Sequence, residues 1–110
     1  MMKRIGRLIG LNAADVAAYK RLHAAVWPEV LALIGQAGIR NYSIFLKEPE
    51  NLLFAYMEYE GKDMAQDTML MSASPDMKRW WSLTDPMQRP LESRKPGEWW
   101  ADMDEVFHSD

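Results

Sequence analysis

The chain has 110 residues, no cysteine, a net charge of −3 and 48% apolar residues. That length and apolar content suit one domain, residues 1–110, with its own core. The absence of thiols excludes cysteine nucleophiles, disulfides and cysteine-ligated metal centres, and the interspersed charges leave no broad basic surface for nucleic acid.

The first ten residues place Lys3, Arg4 and Arg7 among short apolar stretches, which is not the build of a secretory signal, and no run is long enough to span a membrane. The expectations are a cytoplasmic protein with no membrane partner, no bound metal and a small uncharged ligand. Lys3 to Ile9 alternates weakly, with Ile5 and Ile9 on one side and Leu8 on the other, as in a first strand.

Asn12 to Gln36 carries the main helical signal. At about 100° per residue, Val16, Tyr19, His23, Val26, Trp27, Val30, Leu33 and Ile34 form one apolar stripe about 120° wide. Asn12 is placed to cap this helix, and Asp15 complements the dipole in its first turn. Pro28 removes the amide that would bond the carbonyl of Ala24, so a kink or restart is expected at Trp27-Pro28, beside His23.

His23 lies near the middle of that stripe, between Tyr19 and Trp27 at spacings of four residues. One reading makes it a core residue whose ring nitrogens find backbone or hydroxyl partners. The other makes it a proton-transfer group, because tyrosine and tryptophan favour boundaries with ligand over dry interiors. Desolvation in an enclosed site pulls an imidazole toward its neutral form, which gives and takes protons near pH 7.

Gly38 ends the helix, and Ile39 to Leu46 alternates as a strand with Ile39, Asn41, Ser43 and Phe45 on one face and Arg40, Tyr42, Ile44 and Leu46 on the other. Lys47 to Asn51 has turn composition, and Leu52 to Tyr59 completes a hairpin whose two faces are both apolar. Asp63 to Ala73 reads as a modest helix. Ser74-Pro75-Asp76 is a start signal for a short helix carrying Trp80-Trp81, whose rings point about 100° apart, so one can enter the core while the other faces a cavity. Pro86 to Gly97 reads as an irregular loop, and the alternation of Met103, Glu105 and Phe107 with Asp104, Val106 and His108 as a closing strand.

The order strand, helix, strand, strand, helical region, strand is the ferredoxin-like split βαβ arrangement, an α+β fold with helices on one face of an antiparallel sheet. The second apolar sheet face then needs a cover, and another copy of the chain is the simplest one, giving a homodimer of the dimeric α+β barrel type.

Tyr19 with His23, Trp27-Pro28-Glu29, Asn41-Tyr42 with Ile44, Asn51 to Phe54, Trp80-Trp81 and Glu105 to Phe107 together give the chain a pattern that resembles the L-rhamnose mutarotase family over nearly its whole length. The resemblance implies a dimeric ferredoxin-like enzyme that interconverts the anomers of a 6-deoxyhexose. It implies His23 as the catalytic proton donor, with Tyr19, Tyr42, Trp80 and Trp81 lining the sugar site.

That chemistry needs no cofactor. One proton leaves the anomeric hydroxyl, another reaches the ring oxygen, and the freed aldehyde rotates before closing. Tyr19 or Tyr42 is available as the second group, although an unperturbed phenol, with a pKa of about 10, is a poor base. A tryptophan face from Trp80 or Trp81 suits the apolar C–H surface of a deoxy sugar.

Pro86 to Trp100 departs from the family pattern, being longer and richer in charge and ending in Trp99-Trp100. These two rings either anchor the loop or read the sugar, and the departure admits L-fucose beside L-rhamnose as substrate. Two other classes share the general features: a cofactor-free monooxygenase or haem-degrading enzyme on a dimeric α+β barrel, and a sugar-binding module without catalysis.

Overall fold

The structure, a computed structural model, describes residues 2–110. Its elements are β1 (Lys3–Leu11), α1 (Val16–Ala24), α2 (Pro28–Gln36), β2 (Ile39–Lys47), β3 (Leu52–Tyr59), α3 (Met64–Ser72), α4 (Pro75–Thr84), β4 (Gln88–Arg89) and β5 (Ala101–Met103). All pairings are antiparallel, in the order β2-β3-β1-β4, with β5 also on β1. β1 is the central strand. β3 lies along one of its edges, and β4 and β5 divide the other, β4 at Gly10 and Leu11 and β5 from Gly6 to Leu8. This is the expected ferredoxin-like α+β fold.

Strand alternation decides what each sheet face can bury. The register sets Ile5 and Ile9 opposite Met57 and Leu53, and Ile44 and Leu46 opposite Ala55 and Leu53, so these side chains share one face. Tyr19 and Val16 pack there on Ile9, Leu11 and Leu53, while Met64 of α3 packs on Ile5, Met57 and Tyr59. α2 and α4 meet through Val30, Met77 and Trp80. The opposite face carries Leu8, Phe54 and Phe45 in one cross-strand row, with Phe45 64% and Phe54 39% exposed. Among the described residues no helix is long and apolar enough to cross a membrane.

Pro28 produces a restart rather than a kink. α1 stops at Ala24, Trp27 is extended at φ −59° and ψ 136°, and Pro28 opens α2 at its first position. A residue before proline is pushed out of the helical region by the pyrrolidine ring, which accounts for the break.

Asn12 does not cap the helix. Its side chain bonds no helical amide but donates to Asp15 Oδ2 at 3.2 Å and to the carbonyl oxygen of Pro86 at 3.0 Å. A carbonyl brought from 74 residues away holds the side chain by its NH2 end, and its oxygen accepts from no helical amide.

The clean alternation expected across β2 is broken by a bulge between Arg40 and Ser43. Ile39 faces Tyr59 and Ser43 faces Tyr56, so Asn41 and Tyr42 together stand opposite the single residue Met57. The extra residue reverses the parity. Ile39 therefore joins Met57 and Tyr59 in the helix-side core instead of sharing a face with Phe45. Asn41 takes the left-handed conformation at φ 49°, which asparagine tolerates better than most residues.

The closing strand also lies elsewhere than expected. Residues 104–110 carry no strand, and the last edge is made by β4, inside the segment read as a loop, and by β5. Extending the Gly6↔Met103 register would set Phe107 against Met2, beyond the end of β1 at Lys3. Asp104 to Val106 would still face Ile5 to Lys3 in that register, yet the ladder stops at Met103. Side-chain pairs pin the region instead: Arg4 donates to both Glu105 carboxylate oxygens at 3.0 and 2.8 Å, and Arg7 Nε to Asp102 at 2.8 Å.

Candidate active site

α1 crosses the helix-side face of the sheet with Tyr19 buried at its centre. One turn later His23 stacks on the Tyr19 ring, with centroids 4.1 Å apart and planes 24° from parallel. The edge of Trp80 closes on the imidazole at 5.3 Å, and Trp27 meets Trp80 at 5.1 Å, both nearly perpendicular. Arg79 places its guanidinium 5.9 Å from the Trp27 ring centre, within cation–π range. Helices α1 and α4 thus bring Tyr19 and Trp80 onto one imidazole, and the restart at Trp27 adds a third ring against Trp80.

His23 Nδ1 lies 2.9 Å from the carbonyl oxygen of Tyr19. A carbonyl only accepts, so Nδ1 carries a proton and the neutral ring keeps its lone pair on Nε2. Burial lowers the imidazole pKa below its ordinary value, opposed by the bond to Tyr19. The ring is accordingly neutral at pH 7, a base at Nε2.

Tyr19 has the opposite character. Desolvation pushes its phenol up to about 12, against the lowering effect of its bond to Gln88, with Tyr42 and Asp85 adding to the rise. The phenol therefore stays protonated throughout the neutral range. Gln88 Nε2 donates to the Tyr19 hydroxyl at 3.2 Å, and Trp99 Nε1 donates to Gln88 Oε1 at 2.7 Å.

Tyr42 follows Asn41 in the β2 bulge and, by parity with Ile44 and Leu46, projects to the helix side of the sheet. Tyr42 is 38% exposed, and desolvation raises the pKa of its phenol, with the charge of Arg7 opposing. The Asn41 amide bonds Glu58 Oε1 at 2.6 Å, and Tyr56 donates to the other carboxylate oxygen at 2.7 Å. The bulge is thereby tied to β3.

The two adjacent tryptophans divide. Trp80 is buried, at 6% exposure, and touches His23. Trp81 is half-buried and packs against the cluster of Val30, Met77 and Trp80. Of the five residues singled out in the sequence, Tyr19, His23 and Trp80 make direct ring contacts, Tyr42 approaches from the sheet, and Trp81 packs among the helices.

Gln88 is a polar partner that the sequence did not single out, and Trp99, expected either to anchor the loop or to read the sugar, is the other. Both fall in the stretch read as loop or loop anchor, and only the short extended piece between Pro86 and Pro90 hinted that Gln88 has a fixed place. Trp100 packs on the cluster of Ile9, Leu11, Tyr19 and Leu53, so this part of the chain also supports Tyr19.

A concavity of about 490 Å³ lies between β1 and the C-terminal segment, lined by Arg4, Tyr56, Met103, Glu105, Phe107 and His108 among others. It contains none of the five site residues, and its imidazole, His108, is paired with Asp110 at 2.8 Å. The neutral imidazole of His23, the protonated phenol of Tyr19 and the ring of Trp80 cluster elsewhere, on the helix side of the sheet.

A ferredoxin-like frame carrying a neutral imidazole, a protonated phenol and tryptophan walls defines a class of protein equipped for proton transfer on a small uncharged ligand. Comparison with known proteins narrows the class. The family model for L-rhamnose mutarotase matches residues 4–109. L-rhamnose mutarotases of Bacteroides thetaiotaomicron and Oceanobacillus iheyensis are each 31% identical over 109 residues, covering 99% of this chain and 100% of theirs. The crystal structure of an L-rhamnose mutarotase from Formosa agariphila superposes with a TM-score of 0.75 at 29% identity, over 98% of this chain and 99% of that one. The chain belongs to the L-rhamnose mutarotase family, and its enzyme class is that of a mutarotase, an isomerase.

Proposed function

We propose that this chain interconverts the α and β anomers of L-rhamnose as a single mutarotase domain, with His23 Nε2 as the group that takes and returns the anomeric proton. The observation that carries the assignment is the bond from His23 Nδ1 to the Tyr19 carbonyl, which leaves Nε2 as the free lone pair of a neutral ring.

In the opening step Nε2 removes the proton from O1. The O1 electron pair forms the carbonyl, the bond from C1 to the ring oxygen breaks, and the ring oxygen takes a proton from the Tyr19 hydroxyl or from water. Rotation about C1–C2 presents the other carbonyl face, and ring closure runs the transfers in reverse. Positioned acid–base catalysis contributes about 10²–10⁴-fold. Such a gain is meaningful because the uncatalysed sugar already exchanges anomers in water.

Trp80 and Trp81 supply the apolar wall for the sugar ring and its methyl group, and Tyr42 a hydroxyl from the sheet side. The relatives are L-rhamnose mutarotases, which favours L-rhamnose over L-fucose and gives no support to the monooxygenase, haem-degrading or non-catalytic readings. Saturation-transfer NMR between the anomers of L-rhamnose tests the proposal. Faster exchange with protein supports it, no acceleration sinks it, and acceleration confined to L-fucose reassigns the sugar.

We further propose that two copies associate through the sheet face bearing Leu8, Phe45 and Phe54. The exposure of two phenylalanines in one cross-strand row supports this, since a soluble chain rarely leaves such a row to water.

A further inference from the structure

Trp99 and Gln88 form a hydrogen-bonded chain that ends on Tyr19, and the chemistry of each donor fixes the direction of the next bond. An indole N–H only donates, so the Gln88 atom 2.7 Å from Trp99 Nε1 is its carbonyl oxygen. The Gln88 amide nitrogen must then face Tyr19, where it donates to the hydroxyl at 3.2 Å. Since that contact makes the Tyr19 oxygen an acceptor, the phenol's own proton has to point away from Gln88.

Gln88 is well placed to impose this. It is only 8% exposed, held in β4 by pairing with Leu11, and β4 reaches it through the turn Asp85–Met87 that follows α4. Nothing about folding the strand demands a buried glutamine, and a buried amide left without partners would be costly. Both of its polar ends are engaged, one by Trp99 and one by Tyr19. Trp99 is partly exposed and its segment is tied at Glu98, whose carboxylate accepts from the Lys95 backbone at 2.9 Å.

We infer that Gln88, oriented by Trp99, is a positioning residue that turns the Tyr19 hydroxyl into a hydrogen-bond donor toward the sugar oxygens. This rests on the mutarotase reading above and adds a role for the stretch from Pro86 to Trp100. The phenol's high pKa fits that task, because a group that stays protonated donates at every neutral pH.

The test compares Gln88→Glu and Gln88→Leu with the parent chain, using anomer exchange of L-rhamnose by NMR, thermal melting and the pH dependence of kcat/KM. In Gln88→Glu the carboxylate still accepts from Trp99, but its other oxygen accepts the Tyr19 proton and withdraws it from the sugar. Exchange is expected to fall roughly tenfold or more, chiefly in kcat, and the acid limb of the pH profile to move up because a negative charge now lies near the imidazole. In Gln88→Leu the phenol is free to turn, and the loss is expected to be smaller, about threefold.

A purely structural Gln88 predicts lower melting temperatures for both variants with unchanged kcat per folded molecule and an unmoved pH profile, and that result overturns the inference. Equal losses in the two variants overturn it as well, since the direction of the phenol proton then does not matter. If the parent chain itself fails to accelerate exchange, the mutarotase reading falls and takes this role with it. Parental activity with unaffected variants removes the role of Gln88 alone.

Discussion

His23 Nδ1 donates to the carbonyl oxygen of Tyr19, one helical turn earlier, at 2.9 Å, while the two rings lie stacked at 4.1 Å. The backbone thus fixes the tautomer and the neighbouring ring fixes the plane. Replacing the imidazole by the shorter amide of His23→Asn removes a group that cycles protons near neutrality. Catalysed anomer exchange is expected to fall by about 10²-fold or more, the scale of a lost general acid or base, with the fold kept. Exchange rates normalised to folded protein by circular dichroism decide it, and an unchanged rate would return His23 to the core.

The same residue sets a pH dependence whose sign follows from burial. The imidazole is less basic in the folded chain than in the unfolded one, so the unfolded chain binds protons first as the pH falls. The stability contributed by His23 is complete above the ordinary value of 6.5 and declines as the pH drops from there toward the lower folded value. Activity should decline over the folded titration, as Nε2 loses its lone pair. Urea unfolding between pH 4 and pH 8, a range set by the usual histidine pKa of about 6.5, should show a shallower acid-side loss in His23→Asn than in the parent.

Trp80 and Trp81 should separate experimentally. Trp80→Ala removes a buried ring between α2, α4 and His23 and is expected to cost about 3–5 kcal/mol in chemical denaturation. The half-buried Trp81 should cost less. Trp80→Phe keeps a ring against His23 but shortens it, so the expected signature is a raised KM for the sugar with most of the stability retained. Unchanged sugar affinity in both Trp80→Phe and Trp81→Phe would make the pair structural.

The bulge at Asn41 offers a backbone route to the same site. Asn41→Val places a β-branched residue at φ 49° and removes the bond to Glu58, so a loss of about 1–2 kcal/mol is expected from the conformation alone. Asn41→Gly tolerates the backbone and loses only the side-chain bond. If Tyr42 serves the sugar, exchange should suffer more in the valine variant than in the glycine one, measured per folded molecule.

A charge placed in the exposed phenylalanine row tests the association of two copies. Light scattering of the parent should give the mass of two chains, and Phe45→Asp the mass of one, because burying an unpaired carboxylate opposes the contact. A monomeric parent would leave the face to another cover.

The chain order of strands and helices, the Tyr19, His23 and Trp27 stripe and the break at Pro28 were legible because each depends on spacing within one segment. A 3.6-residue period, a 2-residue period and a missing amide act locally. The bulge was not legible, since Arg40 to Ser43 alternates as well as any strand and only pairing with Met57 reveals the extra residue. Nor was the place of the last edge, since the ladder on β1 stops at Met103 although the alternation runs on through residue 108. The amide of Asn12 went to a carbonyl far along the chain, and the hydroxyl of Tyr19 found a donor 69 residues away in Gln88. Local periodicity told which residues face inward, whereas the choice of hydrogen-bond partner waited on the fold, because competing donors and acceptors meet only when distant segments are packed together.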